Sequence, residues 1–148
     1  MTDLATAASG QAQQWVLRVG FDLVQVSQLQ DSIDRFGDTF TRRLFTSGEI
    51  GYASQDAAVF APRLAARFAA KEALIKALQL SEAGISWCDI EVVKLAGGDC
   101  RLELRGQAAS LAQEMGLCEL LLSLSHDGDY AGAVVTARFS ENAMQGMN

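Results

Sequence analysis

The alternation of apolar and polar side chains divides the first third of the chain into a strand followed by helices. Residues 15–24 are rich in β-branched and aromatic side chains, which favours a strand. Apolar side chains then recur at helical spacing from Val26 to Phe36, and Gly37 is placed to end that helix. Residues 40–52 show a shorter helical pattern with a turn signal at Ser47 and Gly48.

The middle of the chain carries the clearest helical signal. Residues 61–77 contain seven alanines and no glycine, and Pro62 stands where the first turn of a helix tolerates proline. We therefore predict a helix over residues 63–80. Alternating patterns at 85–95 and 100–104 predict a hairpin around residues 96–99.

The last third adds one helix and two strands. Residues 107–115 predict a helix that Gly116 ends, and residues 120–126 and 130–137 predict two strands joined at 127–129. Strands joined by short turns and interspersed with helices indicate the α+β class.

Composition predicts one folded domain with unstructured ends. The chain has 148 residues, of which 49% are hydrophobic and 20% charged, enough for a real core in a single domain. Residues 1–14 and 140–148 lack apolar periodicity, which predicts a mobile leader, a flexible tail and a domain over 15–139. No apolar run could span a bilayer and no Lys or Arg precedes Arg18, so we expect a soluble, cytoplasmic protein without a signal peptide.

The charge balance narrows the class of partner. Twelve basic and eighteen acidic residues give a net charge of −6, which disfavours nucleic-acid binding through a diffuse positive surface. Residues 35–76, in contrast, hold seven basic and four acidic residues, a local net charge of +3. Such a region suits phosphates or an acidic protein partner, with chance clustering as the alternative.

The number and spacing of the cysteines and histidines exclude some kinds of site. Cys88, Cys100 and Cys118 fit neither a disulfide framework nor a CxxC metal clip, so we predict reduced thiols. His126 is the single histidine, which excludes a zinc site with several imidazole ligands. Chemistry must therefore use carboxylates, basic side chains or a metal with oxygen ligands.

Two stripes of charged residues follow the long central helix. Spacing places five residues on one stripe: Ala61, Ala65, Ala69, Glu72 and Lys76. Alanine permits a backbone or a ligand to approach closely, whereas an ordinary solvated ion pair between Glu72 and Lys76 is the alternative. A second stripe is basic and consists of Arg63, Arg67 and Lys71. Basic stripes on helices are usually solvated.

Asp22 is the most informative carboxylate. It stands between Phe21 and Leu23 in an apolar strand, where an unpaired charge would cost several kcal/mol. A structural pair with an arginine and a role as metal ligand both meet this requirement, and the spacing alone does not choose between them.

Three segments resemble the signatures of holo-[acyl-carrier-protein] synthases, which are small, trimeric 4′-phosphopantetheinyl transferases. They are residues 20–24, residues 67–78, and residues 123–127 with Tyr130 and Ala131. The segments follow the family's order and approximate spacing over residues 16–137, and RFAAKEALIKA is highly specific. The resemblance implies the phosphopantetheinyl transferase fold, an antiparallel sheet with a long packed helix, in a homotrimer.

The resemblance also implies a reaction and its catalytic residues. The family transfers the phosphopantetheine arm of coenzyme A to a serine of an apo acyl carrier protein, releases 3′,5′-ADP and serves fatty acid biosynthesis. Asp22 and Glu72 would bind Mg²⁺, which prefers oxygen ligands and often combines one or two carboxylates with substrate phosphates. Lys76 would contact the same phosphates. Either Glu72 or a metal-held water would take the serine proton.

Further residues would bind coenzyme A by the same resemblance. Arg67 would contact coenzyme A, and His126 would help to hold its nucleotide phosphates, although a loop histidine that caps backbone groups is the alternative for His126. Ser125 would be either a phosphate donor or a turn residue. The active site would lie between subunits, and the acidic helix of the carrier would dock on basic residues, here Arg42, Arg43, Arg63 and Arg67.

Two departures from the family pattern affect these expectations. Gln25 and Gln28 stand near positions where the family has a glutamate and an arginine, and Gly97-Gly98-Asp99-Cys100 stands where it commonly has Gly-Lys-Pro. We therefore expect a dedicated carrier from a specialised pathway and a missing basic contact near the nucleotide. A non-catalytic module that binds a carrier or nucleotide, and a magnesium-dependent phosphohydrolase, are the competing hypotheses.

Overall fold

The computed structural model describes residues 12 and 14–141, so the predicted leader and tail fall almost wholly outside the described residues. The elements follow one another along the chain as β1 (Trp15–Gln25), α1 (Val26–Phe36), α2 (Asp38–Leu44), α3 (Ser47–Ala53), α4 (Phe60–Leu78), β2 (Ile90–Lys94), β3 (Cys100–Leu104), α5 (Gly106–Glu114), β4 (Leu117–Asp127) and β5 (Tyr130–Ser140). The predicted mixture of helices and antiparallel strands is confirmed.

The larger sheet brings distant parts of the chain together. Its three strands are antiparallel in the order β1-β5-β4, and β2 and β3 form a separate hairpin. Asp22 on β1 lies opposite Ala133, and His126 on β4 lies opposite Ala131. Because residues across a sheet and two apart on one strand share a face, Asp22 and His126 lie at the same end and on the same face.

Helix α4 crosses that face at very short range. A Cβ at Gly20 would lie 1.8 Å from the carbonyl oxygen of Ala73, so only glycine allows this approach. Ala69 and Ala73 are fully buried at the contact. The close crossing brings the second half of α4, with Glu72 and Lys76, toward the strand that carries Asp22.

The predicted turn at Ser47 and Gly48 is wrong, because both residues begin α3. Thr46 is the N-cap, and a capping box joins it to Glu49: the Glu49 N–H donates to Thr46 Oγ1, and the Thr46 N–H donates to Glu49 Oε1. A Thr-x-x-Glu pattern is a helix start signal, and here it outweighs the turn preference of serine and glycine. Residues 40–52 therefore form two helices separated at Phe45.

The predicted strand over residues 85–95 begins too early. Residues 87–89 form a 3₁₀ turn, capped by the Ser86 side chain, and β2 starts only at Ile90. Helix α4 also ends two residues before its predicted end, since Gln79 adopts a left-handed conformation with φ of 57°. The other predicted elements are confirmed, with ends displaced by up to three residues.

The second face of the larger sheet is apolar and exposed. Leu17, Val19, Phe21 and Leu23 alternate along β1 and are 55–64% exposed. Leu121 on β4 extends this surface, which we call the outer face. Among the described residues, no helix is both long enough and apolar enough to cross a membrane.

Candidate active site

Asp22, on β1, forms an ion pair with a lysine in the last turn of α4. Its side chain is 18% exposed, and Lys76 Nζ lies 2.9 Å from Asp22 Oδ1 and 3.1 Å from the carbonyl oxygen of Phe21. An arginine was one structural partner expected for Asp22, but the observed partner is Lys76. This bond, together with the charge of Asp22, raises the pKa of Lys76.

Glu72 lies in the same cleft as Asp22 and Lys76, so the three predicted catalytic residues come together. This cleft, which we call the carboxylate cleft, has a volume of about 550 Å³, and Gln25 at the end of β1 and Gln28 on α1 form a second wall. Burial raises the pKa of Glu72, the negative charge of Asp22 raises it further, and Lys76 opposes both effects. Two carboxylates in one half-buried cleft favour a cation between them.

The donor set of the cleft fits Mg²⁺. Within residues 12 and 14–141, no group of three or more histidine, cysteine, aspartate or glutamate side chains is arranged to hold a metal ion. Mg²⁺ commonly uses one or two carboxylates and completes its shell with water and substrate phosphates. Asp22 and Glu72 supply that number of hard oxygen donors.

A second cavity is basic and contains two of the residues predicted to bind coenzyme A. Arg67 and His126 line it with Arg63, Lys94 and Tyr52, and its volume is about 260 Å³. Arg67 is 3% exposed, and its Nε has no hydrogen-bond partner among the described residues. Burial lowers the pKa of Arg67. A buried, incompletely paired guanidinium favours an anion in this cavity, which we call the basic cavity.

The sequence did not identify Tyr52 or Lys94 as site residues. Tyr52 is on α3 and Lys94 on β2, more than forty residues apart, and neither belongs to a segment that resembles the family. Only the packing of these elements beside α4 shows that both line the basic cavity.

The prediction of a solvated basic stripe on α4 is wrong. Lys71 is fully buried and forms a 2.6 Å ion pair with Glu49. Its Nζ also donates to the carbonyl oxygens of Leu44 and Trp87. Arg67 is buried as well, so it is not an accessible docking residue for a carrier. Arg42 and Arg43 are exposed, and Arg63 is half-buried.

Ser125 does not meet the carboxylates within one chain. It pairs with Gly132, and it lines an apolar cavity on the outer face with Phe21 and Leu23. Ser125 is therefore not at a turn, since β4 continues through Asp127.

Gln25 has a structural partner. Its Nε2 donates to Asp129 Oδ2 at 3.0 Å, and the Ser27 N–H donates to Asp129 Oδ1 at 3.0 Å. Asp129 thus caps the start of α1 from the β4–β5 turn, in place of the cap that Gln25 does not provide. A glutamate at position 25 would place a second negative charge beside Asp129.

A family model matches residues 18–135, and its description is the 4′-phosphopantetheinyl transferase superfamily. The chain belongs to this superfamily. The match includes every residue of the carboxylate cleft and of the basic cavity.

Individual members of the 4′-phosphopantetheinyl transferase superfamily are similar over most of their length. A holo-[acyl-carrier-protein] synthase from Gloeobacter violaceus is 40% identical over 124 residues, which cover 84% of this chain and 94% of the relative. The ACPS–CoA complex from Chronobacterium ammoniagenes has a TM-score of 0.76 and 34% identity, and covers 85% of this chain and 99% of its own. The Helicobacter pylori synthase in complex with coenzyme A has a TM-score of 0.70 and 28% identity, and the match covers 80% of this chain and 98% of the synthase chain.

Proposed function

We propose that this protein transfers the 4′-phosphopantetheine arm of coenzyme A to a serine of an apo acyl carrier protein and releases 3′,5′-ADP. The observation that carries the proposal is the meeting of Asp22, Glu72 and Lys76 in one cleft. It is supported by relatives that are named holo-[acyl-carrier-protein] synthase and by structural neighbours that contain coenzyme A.

In this proposal Asp22 and Glu72 hold Mg²⁺. When bound, the ion would neutralise charge on the diphosphate of coenzyme A and on the leaving 3′,5′-ADP. Lys76, whose side chain is 54% exposed, reaches into the same cleft and would bind a diphosphate oxygen as a point charge.

Glu72 is our proposed acceptor for the proton of the carrier serine. Its carboxylate lines the cleft in which the diphosphate would bind, so it lies where the attacking serine hydroxyl must approach. The competing acceptor is a water held beside the two carboxylates. In that case Glu72 would act only as a metal ligand.

The basic cavity would hold the far end of the nucleotide. Coenzyme A carries a diphosphate and a separate 3′-phosphate, and the two cavities share no lining residue. We therefore place the diphosphate at Asp22, Glu72 and Lys76, and the 3′-phosphate with Arg67 and His126.

The outer face supports a homotrimer with active sites between subunits. Four consecutive outward side chains of β1 are apolar and more than half exposed, a continuous surface that water solvates poorly. A second copy of the chain would bury this surface, and the interface would then include Ser125, which lies on it. Light scattering over a range of concentrations tests the assembly.

Carrier docking would use the exposed cations near the cleft. Arg42 and Arg43 remain accessible at the end of α2, and an acidic helix is their complementary partner. Gln28 is exposed in the cleft wall and offers the carrier no charge. We propose a dedicated carrier of a specialised pathway, and equal rates with it and with the housekeeping carrier of fatty acid biosynthesis would contradict this.

The deciding experiment is a mass-shift assay with coenzyme A, Mg²⁺ and an apo carrier. Transfer adds the phosphopantetheine arm covalently to the carrier, whereas a non-catalytic binding module leaves its mass unchanged. Release of 3′,5′-ADP without carrier would instead identify a phosphohydrolase. An unmodified carrier in the presence of all three components would overturn the proposed function.

A further inference from the structure

Tyr52 stands at the centre of the basic cavity. Its ring centroid lies 4.4 Å from Arg63 Cζ, 4.3 Å from Arg67 Cζ and 5.0 Å from Lys94 Nζ. Lys94 Nζ also donates to the Tyr52 hydroxyl oxygen at 2.9 Å. One aromatic side chain therefore contacts three cations from two different elements.

The position of Tyr52 is fixed by the elements around it. The Arg63 Nη1 donates to the carbonyl oxygen of Tyr52 at 3.1 Å, which ties α3 to α4. At the start of α3, Glu49 is locked by its ion pair with Lys71 and by the Val92 N–H, which donates to Glu49 Oε2. The ring is thus presented from a helix that is anchored to both neighbouring elements.

The three cations have no carboxylate partner in the part of the chain that the structure describes. No carboxylate lines the basic cavity, and none of Arg63, Arg67 and Lys94 forms a salt bridge with a described carboxylate. The electron-rich ring face and the hydroxyl oxygen of Tyr52 reduce their mutual repulsion. The hydrogen bond from Lys94 lowers the pKa of Tyr52, consistent with a hydroxyl oxygen surrounded by positive charge.

We infer that Tyr52 is a positioning residue, which holds Arg63, Arg67 and Lys94 where they bind the 3′-phosphate of coenzyme A. The inference rests on the proposed function, because that function assigns the diphosphate to the separate carboxylate cleft. Lys94 then supplies the basic contact that Asp99, in the β2–β3 turn, does not provide. Tyr52 acts through the cations and would not itself touch the reacting phosphorus.

Kinetics with coenzyme A and with dephospho-coenzyme A, which lacks only the 3′-phosphate, test this role. Tyr52→Leu removes the ring and should raise KM for coenzyme A about tenfold, as expected for losing several cation–π contacts. KM for dephospho-coenzyme A and both kcat values should change less than about twofold. A general structural effect would change KM for both substrates alike, and that outcome would overturn the inference.

A double-mutant cycle tests the coupling to Lys94 in variants that keep the ring. Tyr52→Phe removes only the hydroxyl, and Lys94→Met removes only the charge. Each should raise KM for coenzyme A alone, and the double variant should be no worse than Lys94→Met because the two act through one bond. Fully additive effects, or an unchanged KM in both single variants, would contradict the role assigned to Tyr52.

Ligand binding separates this inference from the proposed function. If the wild-type protein modifies no carrier, the proposed function fails, yet titration with 3′,5′-ADP and 5′-AMP still reports on the basic cavity. Preference for 3′,5′-ADP that is lost in Tyr52→Leu supports the inference. Equal affinity for both nucleotides in the wild-type protein would refute it.

Discussion

Lys76 Nζ lies 2.9 Å from Asp22 Oδ1, and this bond joins α4 to β1 in the carboxylate cleft. The same lysine is therefore engaged with one proposed metal ligand and is also the proposed phosphate contact. A cation and Lys76 compete for Asp22, whereas a phosphate attracts both. This arrangement makes the effects of removing Lys76 opposite for metal and for substrate.

Lys76→Met should weaken the binding of coenzyme A and strengthen the binding of Mg²⁺. We expect KM for coenzyme A to rise about tenfold, because a charge-assisted hydrogen bond to phosphate is lost. The Mg²⁺ concentration for half-maximal rate should fall, since Asp22 no longer has a competing cation. The measurement is the transfer rate against each component, with Arg101→Met on the distant β3 hairpin as the matched control. A parallel loss of affinity for both components would contradict the prediction.

Glu72→Gln and Asp22→Ala should abolish transfer and leave the fold intact. Both remove a proposed metal ligand rather than core volume, and we expect a loss of about a thousandfold or more. Thermal unfolding without metal should show Glu72→Gln at least as stable as wild type, because burial and Asp22 both disfavour the Glu72 charge. Full activity in either variant would defeat the metal assignment.

The sequence predicted the carboxylate cleft better than the basic cavity, and the reason is physical. Asp22, Glu72 and Lys76 belong to segments that resemble the family, and that resemblance implied their common site, whereas spacing alone left ordinary ion pairs as an alternative. Tyr52 and Lys94 depend on how α3 and β2 pack against α4, which no local pattern specifies. Their convergence on Arg67 is a property of the tertiary structure.

The same distinction applies to the fold. The Thr46 and Glu49 capping box is a local signal and could have placed the start of α3. The burial of Lys71 could not be predicted locally, because spacing alone makes it part of a basic stripe. Its partner Glu49 is twenty-two positions away, and the pair forms only when α3 packs on α4.

Lys71→Met should destabilise the protein strongly. Removing one member of a buried ion pair leaves Glu49 charged and uncompensated, which typically costs about 3–5 kcal/mol of unfolding free energy. Denaturant unfolding measures the loss. Adding Glu49→Leu should recover only part of it, because the N–H groups of Thr46 and Val92 lose the acceptor they share. Wild-type stability in Lys71→Met would show that the pair contributes nothing.

Gly20→Ala should prevent the close crossing of α4 over β1. The added Cβ would lie 1.8 Å from the Ala73 carbonyl oxygen, so strand and helix must separate. We expect a loss of about 3 kcal/mol or more in unfolding free energy. Gly97→Ala is the control, because a Cβ there meets nothing within 4 Å. Equal stability of the two variants would mean that the contact is not tight in solution.

The link between Asp129 and α1 should give the protein an acid-sensitive contribution to stability. The Ser27 hydroxyl, the Gln25 amide and the Ser27 N–H all donate to Asp129, and these bonds lower the pKa of Asp129 below its ordinary value of 3.8. A carboxyl group with a lowered pKa stabilises the fold above its ordinary pKa and loses that contribution as the pH falls through the lowered value.

Asp129→Asn tests this dependence, because an asparagine amide nitrogen cannot accept the same bonds. The wild-type protein should melt at a higher temperature than Asp129→Asn near pH 7, and the difference should shrink as the pH falls below about 4. Asp31→Asn makes the same charge change on α1 without a described hydrogen bond and should show no such trend. In the double variant with Gln25→Glu, the carboxylate at position 25 would accept a hydrogen bond from the amide of Asn at position 129, so this second substitution should restore stability. A melting difference between wild type and Asp129→Asn that grows on acidification would disprove the link.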